Sequence, residues 1–272
     1  MALALNEEQV LLRDSAQGFF NDKSPVSALR ALRDSADPDG FSRELWREMA
    51  AMGWAGAFLP DDYGGLGCGL TEIGVVMEAA GRTLAASPLF ASVVLGGSAV
   101  LLGGSEAHKS ELLPQLIRGE LLLTLALQEG PHHDPDTIET TAQTVDGGYL
   151  VSGRKVYVPD GHVADAFVVA AREEEGVILL LVNAAAPGVS VERRIMVDSR
   201  NMAQVTFDNV LVGSDALLPG SGAALLQQVI DRGNIVLCAE MLGSLQAAFE
   251  RTLAYLKTRE QFGEFIGTFQ AL

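Results

Sequence analysis

The strongest constraint on the fold is a helical stripe near the C-terminal end of the sequence. Leu225, Leu226, Val229, Ile230, Val236, Leu237, Leu245, Ala248, Phe249, Leu253 and Leu256 recur at helical spacing. Drawn over residues 222–259, such a helix is about 57 Å long at about 1.5 Å per residue. A helix of that length outruns one compact domain, and an apolar face that long needs other helices to cover it. Little sequence follows it. The covering helices are therefore expected from a further C-terminal segment, from another subunit, or from both.

Upstream the texture changes twice. The first third reads as helices. Asn6 can cap one, with Gln9 completing a capping box; Ser42 and Ser105 can cap two more; another starts near Thr71; and Pro114 marks a bend or a new start. Residues 84–104 carry no charge and are long enough for a membrane span, but Ser87, Pro88, Ser92, Gly96 and Gly97 break the run, so a buried helix of a soluble bundle is expected. From Glu120 the period becomes that of strands, at 121–128, 140–145, 149–158, 166–171, 177–182, 189–193 and 203–207, with a turn at Asp146, Gly147 and Gly148. The pattern predicts an α+β chain: a helical N-terminal domain over 1–119, an antiparallel β-barrel over 120–215, and the first part of a C-terminal helical bundle over 216–272.

Composition narrows the partners. With 19 Lys and Arg against 35 Asp and Glu, the net charge of -16 disfavours nucleic acid and anionic membrane surfaces. Cys68 and Cys238 belong to no CxxC or Cys/His cluster, which suits two thiols in a reducing cytoplasm. The start MALALNEEQV has no basic segment followed by a long apolar core, so no secretory signal is read there. The glycines of GGLGCG follow helix and loop rather than a strand, which argues against a dinucleotide fingerprint. His132 and His133, with Asp134 and Asp136, read as a solvated loop, since no second cluster completes a metal site. No GxSxG elbow supports hydrolysis.

Six phrases in order carry more. They are LPDDYGGLG at 59–67, LLPQLIRGE at 112–120, LALQE at 125–129, GRKVYV at 153–158, VTFDNV at 205–210 and REQFGEFIGTFQAL at 259–272. Together they resemble the acyl-CoA dehydrogenase family across the whole chain. The resemblance implies FAD lying between the β-domain and a helical bundle, an acyl-CoA substrate, electron-transfer flavoprotein as acceptor, and a homo- or hetero-oligomer. It implies α,β-dehydrogenation of the thioester, in which a carboxylate takes the α-proton and the flavin receives the β-hydride.

Matched position by position, the resemblance assigns Arg259 to the FAD pyrophosphate and Gln261, Phe262, Phe269 and Gln270 to FAD contacts, partly across a subunit interface. Around the flavin ring the pattern departs. Leu127, Gln128, Tyr157 and Pro159 occupy the ring-contacting positions, but Gln128 and Pro159 stand where hydroxyl donors are usual. The base is expected either beyond residue 272 or at Asp231, one methylene shorter than the usual glutamate, with Arg232 beside it on the substrate side. These losses favour an alternative to a catalytic dehydrogenase subunit: a non-catalytic partner in a heteromeric one.

Overall fold

The computed structural model describes residues 4–174, 176–220 and 222–270. Helix α1 (Glu7–Lys23) opens with the expected capping box: the Asn6 side chain accepts from the Gln9 backbone N–H at 2.8 Å, and the Gln9 side chain accepts from the Asn6 N–H at 3.0 Å. Helix α2 (Val26–Asp34) follows Pro25 and has no buried residue, so it has no core stripe to betray it. Ser42 caps α3 (Arg43–Ala51), and α4 (Leu70–Thr83) starts one residue before Thr71. The uncharged stretch forms a π-type helical segment (Leu89–Gly97) running into α5 (Ser98–Gly103), most of it buried. Pro114 lies inside α6 (Glu106–Ile117), where it removes one backbone donor, and the helix continues three residues past it. No helix among the described residues is long and apolar enough to cross a membrane.

The middle of the chain is one curled sheet of β1 (Leu123–Ala126), β2 (Thr141–Val145), β3 (Gly148–Pro159), β4 (Ala166–Glu173), β5 (Gly176–Asn183), β6 (Val189–Ile195) and β7 (Asn201–Gly213). Its order is β1-β4-β2-β3-β7-β6, with β5 on the other side of β4. The hairpin neighbours are antiparallel, as the turn signals require, but β1 and β2 both run parallel to β4. Parallel neighbours cannot be joined by a tight turn. They meet only because the β2–β3 excursion intervenes, so local sequence carries no sign of the pairing. The β3–β7 register shifts between Lys155 and Val158, where Tyr157 takes a left-handed φ of 51°. That bulge bends the strand just before Pro159.

Helix α7 (Ala223–Thr258) runs the expected course, from Gly222 to a C-cap at Arg259. Its apolar stripe divides in two. Leu225, Leu226, Val229, Ile230 and Val236 are buried against the N-terminal helices and the sheet, whereas Leu245, Phe249 and Leu253 are exposed. Beyond α7 the chain closes a short hairpin, β8 (Glu260–Gln261) with β9 (Glu264–Phe265).

Helices α4 and α7 cross at near-contact of their backbones because both carry glycine there. A Cβ on Gly243 would lie 1.9 Å from the Glu78 carbonyl oxygen, and one on Gly81 would lie 2.0 Å from that of Glu240. The Ser244 hydroxyl donates across the crossing to the Gly81 carbonyl at 3.0 Å. Gly243→Ala is expected to separate the helices and to destabilise the chain by about 1–3 kcal/mol, the usual range for overpacking, despite alanine's better helix propensity. Urea denaturation checks it, and an unchanged midpoint would contradict so tight a crossing.

Candidate active site

A cavity of about 480 Å³ lies between α2, the segment before the buried helix with that helix's first turn, the end of β3, the start of β7 with its preceding turn, and the middle of α7. Leu84, Ala85, Ala86, Phe90, Leu237 and Met241 give it apolar walls; Asp160, Arg200, Asn201 and Glu240 give it one polar side. Glu240 is only 5% exposed although it is a carboxylate on a helix. Arg200 holds it, donating from Nη2 to Oε1 in a short contact. The Arg200 backbone N–H also donates to Asp198 Oδ1 at 3.0 Å. Asn201 is tied down by Arg193 Nη2, which donates to its Oδ1 at 2.7 Å, and by its own donation to the Gly40 carbonyl at 3.0 Å.

Asp160 sits at a left-handed φ of 48°, its backbone N–H donating to the Asn201 carbonyl at 3.0 Å. Burial pushes its carboxyl up to about 7, against the opposing pull of Arg200 and Asn201. Asp160, Arg200 and Glu240 were not singled out from the sequence. Glu240 left a readable trace, since it falls on the buried face of α7 at helical spacing from Val236 and Gly243.

Of the residues expected at the flavin ring, Leu127 and Gln128 are tied to β3 just before Tyr157 and Pro159. The Gln128 carbonyl accepts from the Val156 N–H at 2.7 Å, which pins the end of β1 to β3. Beneath it Lys155, fully buried, donates from Nζ to the Leu127 carbonyl at 3.1 Å and to Glu129 Oε1 at 2.6 Å. Glu129 also accepts from the backbone N–H groups of Glu139, at 2.6 Å, and Thr140, at 2.9 Å. Burial lowers the Lys155 ammonium below its ordinary range, and Glu129 only partly restores it. Burial pushes Glu129 up, but Lys155 and Thr140 outweigh it and leave the carboxylate low. Tyr157 projects to the surface. Pro159 lines the cavity, offers no N–H, and accepts at its carbonyl from Thr124 Oγ1 at 2.8 Å. The Gln128 amide is engaged by its own loop, donating to the Gly130 carbonyl at 2.9 Å and to the His132 carbonyl.

The pyrophosphate group of residues lies apart, beyond the end of α7. Arg259 anchors the β8–β9 turn through its backbone, donating to the Tyr255 carbonyl and accepting from the Ile266 N–H, each at 2.9 Å. Its guanidinium has no ion-pair partner among the described residues. Phe262 and Phe269 meet edge-on with ring centroids 6.5 Å apart, Phe262 being 95% exposed, and Gln261 and Gln270 are exposed beside them.

Asp231 and Arg232 join neither group. Asp231 is exposed and accepts from Gln227 Nε2 at 2.7 Å. It stands nine residues before Glu240, about two and a half helical turns, and so faces the opposite side of α7. Helix α7 thus turns Glu240 toward this cavity and Asp231 away from it. Arg232 is half-buried, and burial lowers its guanidinium.

Comparison with known proteins agrees with this architecture. Residues 6–120 match the acyl-CoA dehydrogenase N-terminal domain, 128–210 its middle domain and 220–272 its C-terminal domain. The fold, helical domain, curled sheet and long helix in that order, is that of the acyl-CoA dehydrogenases. The chain belongs to the acyl-CoA dehydrogenase family. It is 29% identical to the mitochondrial isovaleryl-CoA dehydrogenase of Arabidopsis thaliana, over 99% of this chain and 68% of that one. Benzylmalonyl-CoA dehydrogenase of Aromatoleum aromaticum is 30% identical over 100% of this chain and 74% of its own. The ChsE4–ChsE5 complex of Mycobacterium tuberculosis superposes with a TM-score of 0.89 at 28% identity, over 100% of this chain and 72% of that one.

Proposed function

We propose that this chain is a subunit of an FAD-dependent acyl-CoA dehydrogenase, an assembly that desaturates the α,β bond of a CoA thioester and passes the electrons to an electron-transfer flavoprotein. The observation that carries this reading is the cavity. Its apolar volume is of the size that takes a small acyl group, and Pro159, at a flavin-facing position of the family, forms part of its wall.

When bound, FAD supplies the hydride acceptor. At the pyrophosphate end the residues fit: Arg259 presents a fork of donors with no ion-pair partner among the described residues, suited to bidentate phosphate contact, beside two exposed rings. At the ring end they fit less well, because Pro159 has no donor and the Gln128 amide is held by its own loop. Donors to the ring are then expected from groups outside this chain. The exposed apolar half of α7 is the face that further bundle helices or a partner subunit would cover.

Two observations favour a second reading, in which the chain is the non-catalytic partner of a heteromeric dehydrogenase: the engaged Gln128 and the outward Asp231. The ChsE4–ChsE5 structure that this chain resembles is itself a complex. One experiment addresses both readings. The 272-residue chain purified alone is expected to be colourless, and co-expression with its complementing subunit is expected to restore the flavin spectrum. In the reconstituted assembly, Asp231→Asn should leave stopped-flow flavin bleaching within about twofold, since an exposed carboxylate contributes about 0–1 kcal/mol. A loss of orders of magnitude would return Asp231 to the mechanism. Stoichiometric flavin on the chain alone would overturn the division of labour, and an assembly that no acyl-CoA bleaches would overturn the dehydrogenase reading.

A further inference from the structure

We infer that the cavity selects an acyl group carrying a neutral acceptor oxygen, a ketone on an otherwise apolar skeleton, which receives a hydrogen bond from the Asp160 carboxyl. The inference rests on the acyl-CoA dehydrogenase reading above and names the substrate class within it.

The observation is a polar side chain left over on an apolar wall. Asp160 lines the cavity and, unlike Glu240, keeps part of its surface accessible. Its main-chain groups are spent inside the protein: the N–H donates to the Asn201 carbonyl at 3.0 Å, and the carbonyl accepts from the Val163 N–H at 3.1 Å. The polar atoms it brings to the wall are therefore the carboxyl oxygens. Its left-handed φ of 48° is a strain of the kind that collects at binding sites, and two more cavity residues share it, Leu84 at 56° and Ser199 at 66°. Asn201 draws on the carboxyl, but that amide already donates to the Gly40 carbonyl at 3.0 Å. Leu84, Phe90, Leu237 and Met241 offer a ligand only apolar contact.

Charge decides in which form the carboxyl meets a ligand. The turn before β7 contributes Asp198 and Arg200, β6 contributes Arg193, and α7 contributes Glu240. His162, two residues on, bonds to the Asp39 carbonyl at 2.9 Å. Neither α2 nor the segment before the buried helix places a charged residue on the cavity. Both guanidiniums are committed elsewhere, Arg200 to Glu240, and Arg193 to Asn201 Oδ1 at 2.7 Å and the Pro38 carbonyl at 2.9 Å. With Glu240 and Asp198 already ionised nearby, a third carboxylate would be uncompensated, so the proton stays on Asp160, whose carboxyl burial raises to about 7. A neutral carboxyl has a proton to give. A ketone oxygen only accepts, so it meets that donor without bringing a second donor to an apolar wall. An acyl chain ending in its own carboxylate would face Glu240 and Asp198 and is disfavoured.

The test is calorimetric binding to the reconstituted assembly of octanoyl-CoA and of oxo-octanoyl-CoA isomers with the ketone walked along the chain beyond the β-carbon. It is run at pH 6 and pH 8, on either side of the Asp160 value. At pH 6 one ketone position is expected to bind at least about tenfold tighter than octanoyl-CoA, equivalent to about 1.4 kcal/mol. At pH 8 that ratio should fall to about one or below, because the ionised carboxylate has no proton to give and repels the ketone oxygen. In Asp160→Asn the amide donates without titrating, so the preference should persist at both pH values; in Asp160→Leu it should be absent at both. If neither variant folds, the wild-type pH contrast decides. Equal binding of octanoyl-CoA and every oxo isomer at pH 6, or a wild-type preference unchanged between the two pH values, would overturn this inference and leave the dehydrogenase reading standing. Failure of all the thioesters to bind would overturn that reading, and this inference with it.

Discussion

Lys155→Met is expected to destabilise the chain by about 3–5 kcal/mol, the range for removing one partner of a buried ion pair. Lys155 is fully buried and Glu129 nearly so, and their 2.6 Å contact joins β3 to the segment that leaves β1. The loss has two parts. Glu129 keeps its donations from Glu139 and Thr140 but loses its counter-charge, and the Leu127 carbonyl loses its Nζ donor. Methionine fills most of the lysine volume, so the cost measures electrostatics rather than a void. Lys155→Met with Glu129→Gln should recover about 2 kcal/mol or more of the single-variant loss, because no buried charge is then stranded. Urea melts of the four proteins in this cycle give both numbers. A single-variant cost under about 1 kcal/mol would mean that water already reaches the pair.

That pair also explains why the ring-side residues assemble even though their usual donors are replaced. Leu127 and Gln128 are placed by backbone bonds to Lys155 and Val156, which any side chains at 127 and 128 would permit. The frame is thus independent of the chemistry mounted on it, and the phrases LALQE and GRKVYV were legible for that reason. Strands with a turn signal between them, and a helix whose stripe runs from Gly222 to Arg259, were legible too, because their information is local. The parallel contacts of β4 with β1 and β2 were not, since both depend on where the chain returns after an excursion.

The cavity was hidden for the same reason. Asp160, Arg200 and Glu240 come from three elements, about forty residues apart at each step, and no short motif joins them. Reading the family's positions drew attention to Asp231 instead, which is adjacent to Arg232 in sequence and lies on the side of α7 away from this cavity. A test of helical phase within α7 would have separated the two carboxylates. Glu240 keeps step with Val236 and Gly243, and Asp231 does not.

Asp160 makes the second large effect, a fall in stability as pH rises. Its folded pKa is raised from the ordinary 3.8 to about 7 by burial, with Arg200 and Asn201 pulling the other way and Glu240 adding to the rise. Between those two values the folded chain holds a proton that the unfolded chain has released. Folded protein therefore binds more protons there, and stability declines with rising pH across the interval. The shift sets an upper bound of roughly 4 kcal/mol at about 1.36 kcal/mol per unit, reduced to the extent that water in the cavity screens the charge. His162 acts in the opposite direction, burial having lowered its pKa, so the wild-type profile alone mixes the two. Comparison with Asp160→Asn separates them, because the histidine is common to both proteins and the amide does not ionise. The two proteins should have similar stability near pH 4, and the Asn variant should be the more stable by about 2–4 kcal/mol at pH 8. Urea midpoints taken every half unit between those limits give the difference curve. A curve that stays flat would mean that Asp160 ionises as an ordinary surface carboxylate, and that the polar side of the cavity is open to bulk water.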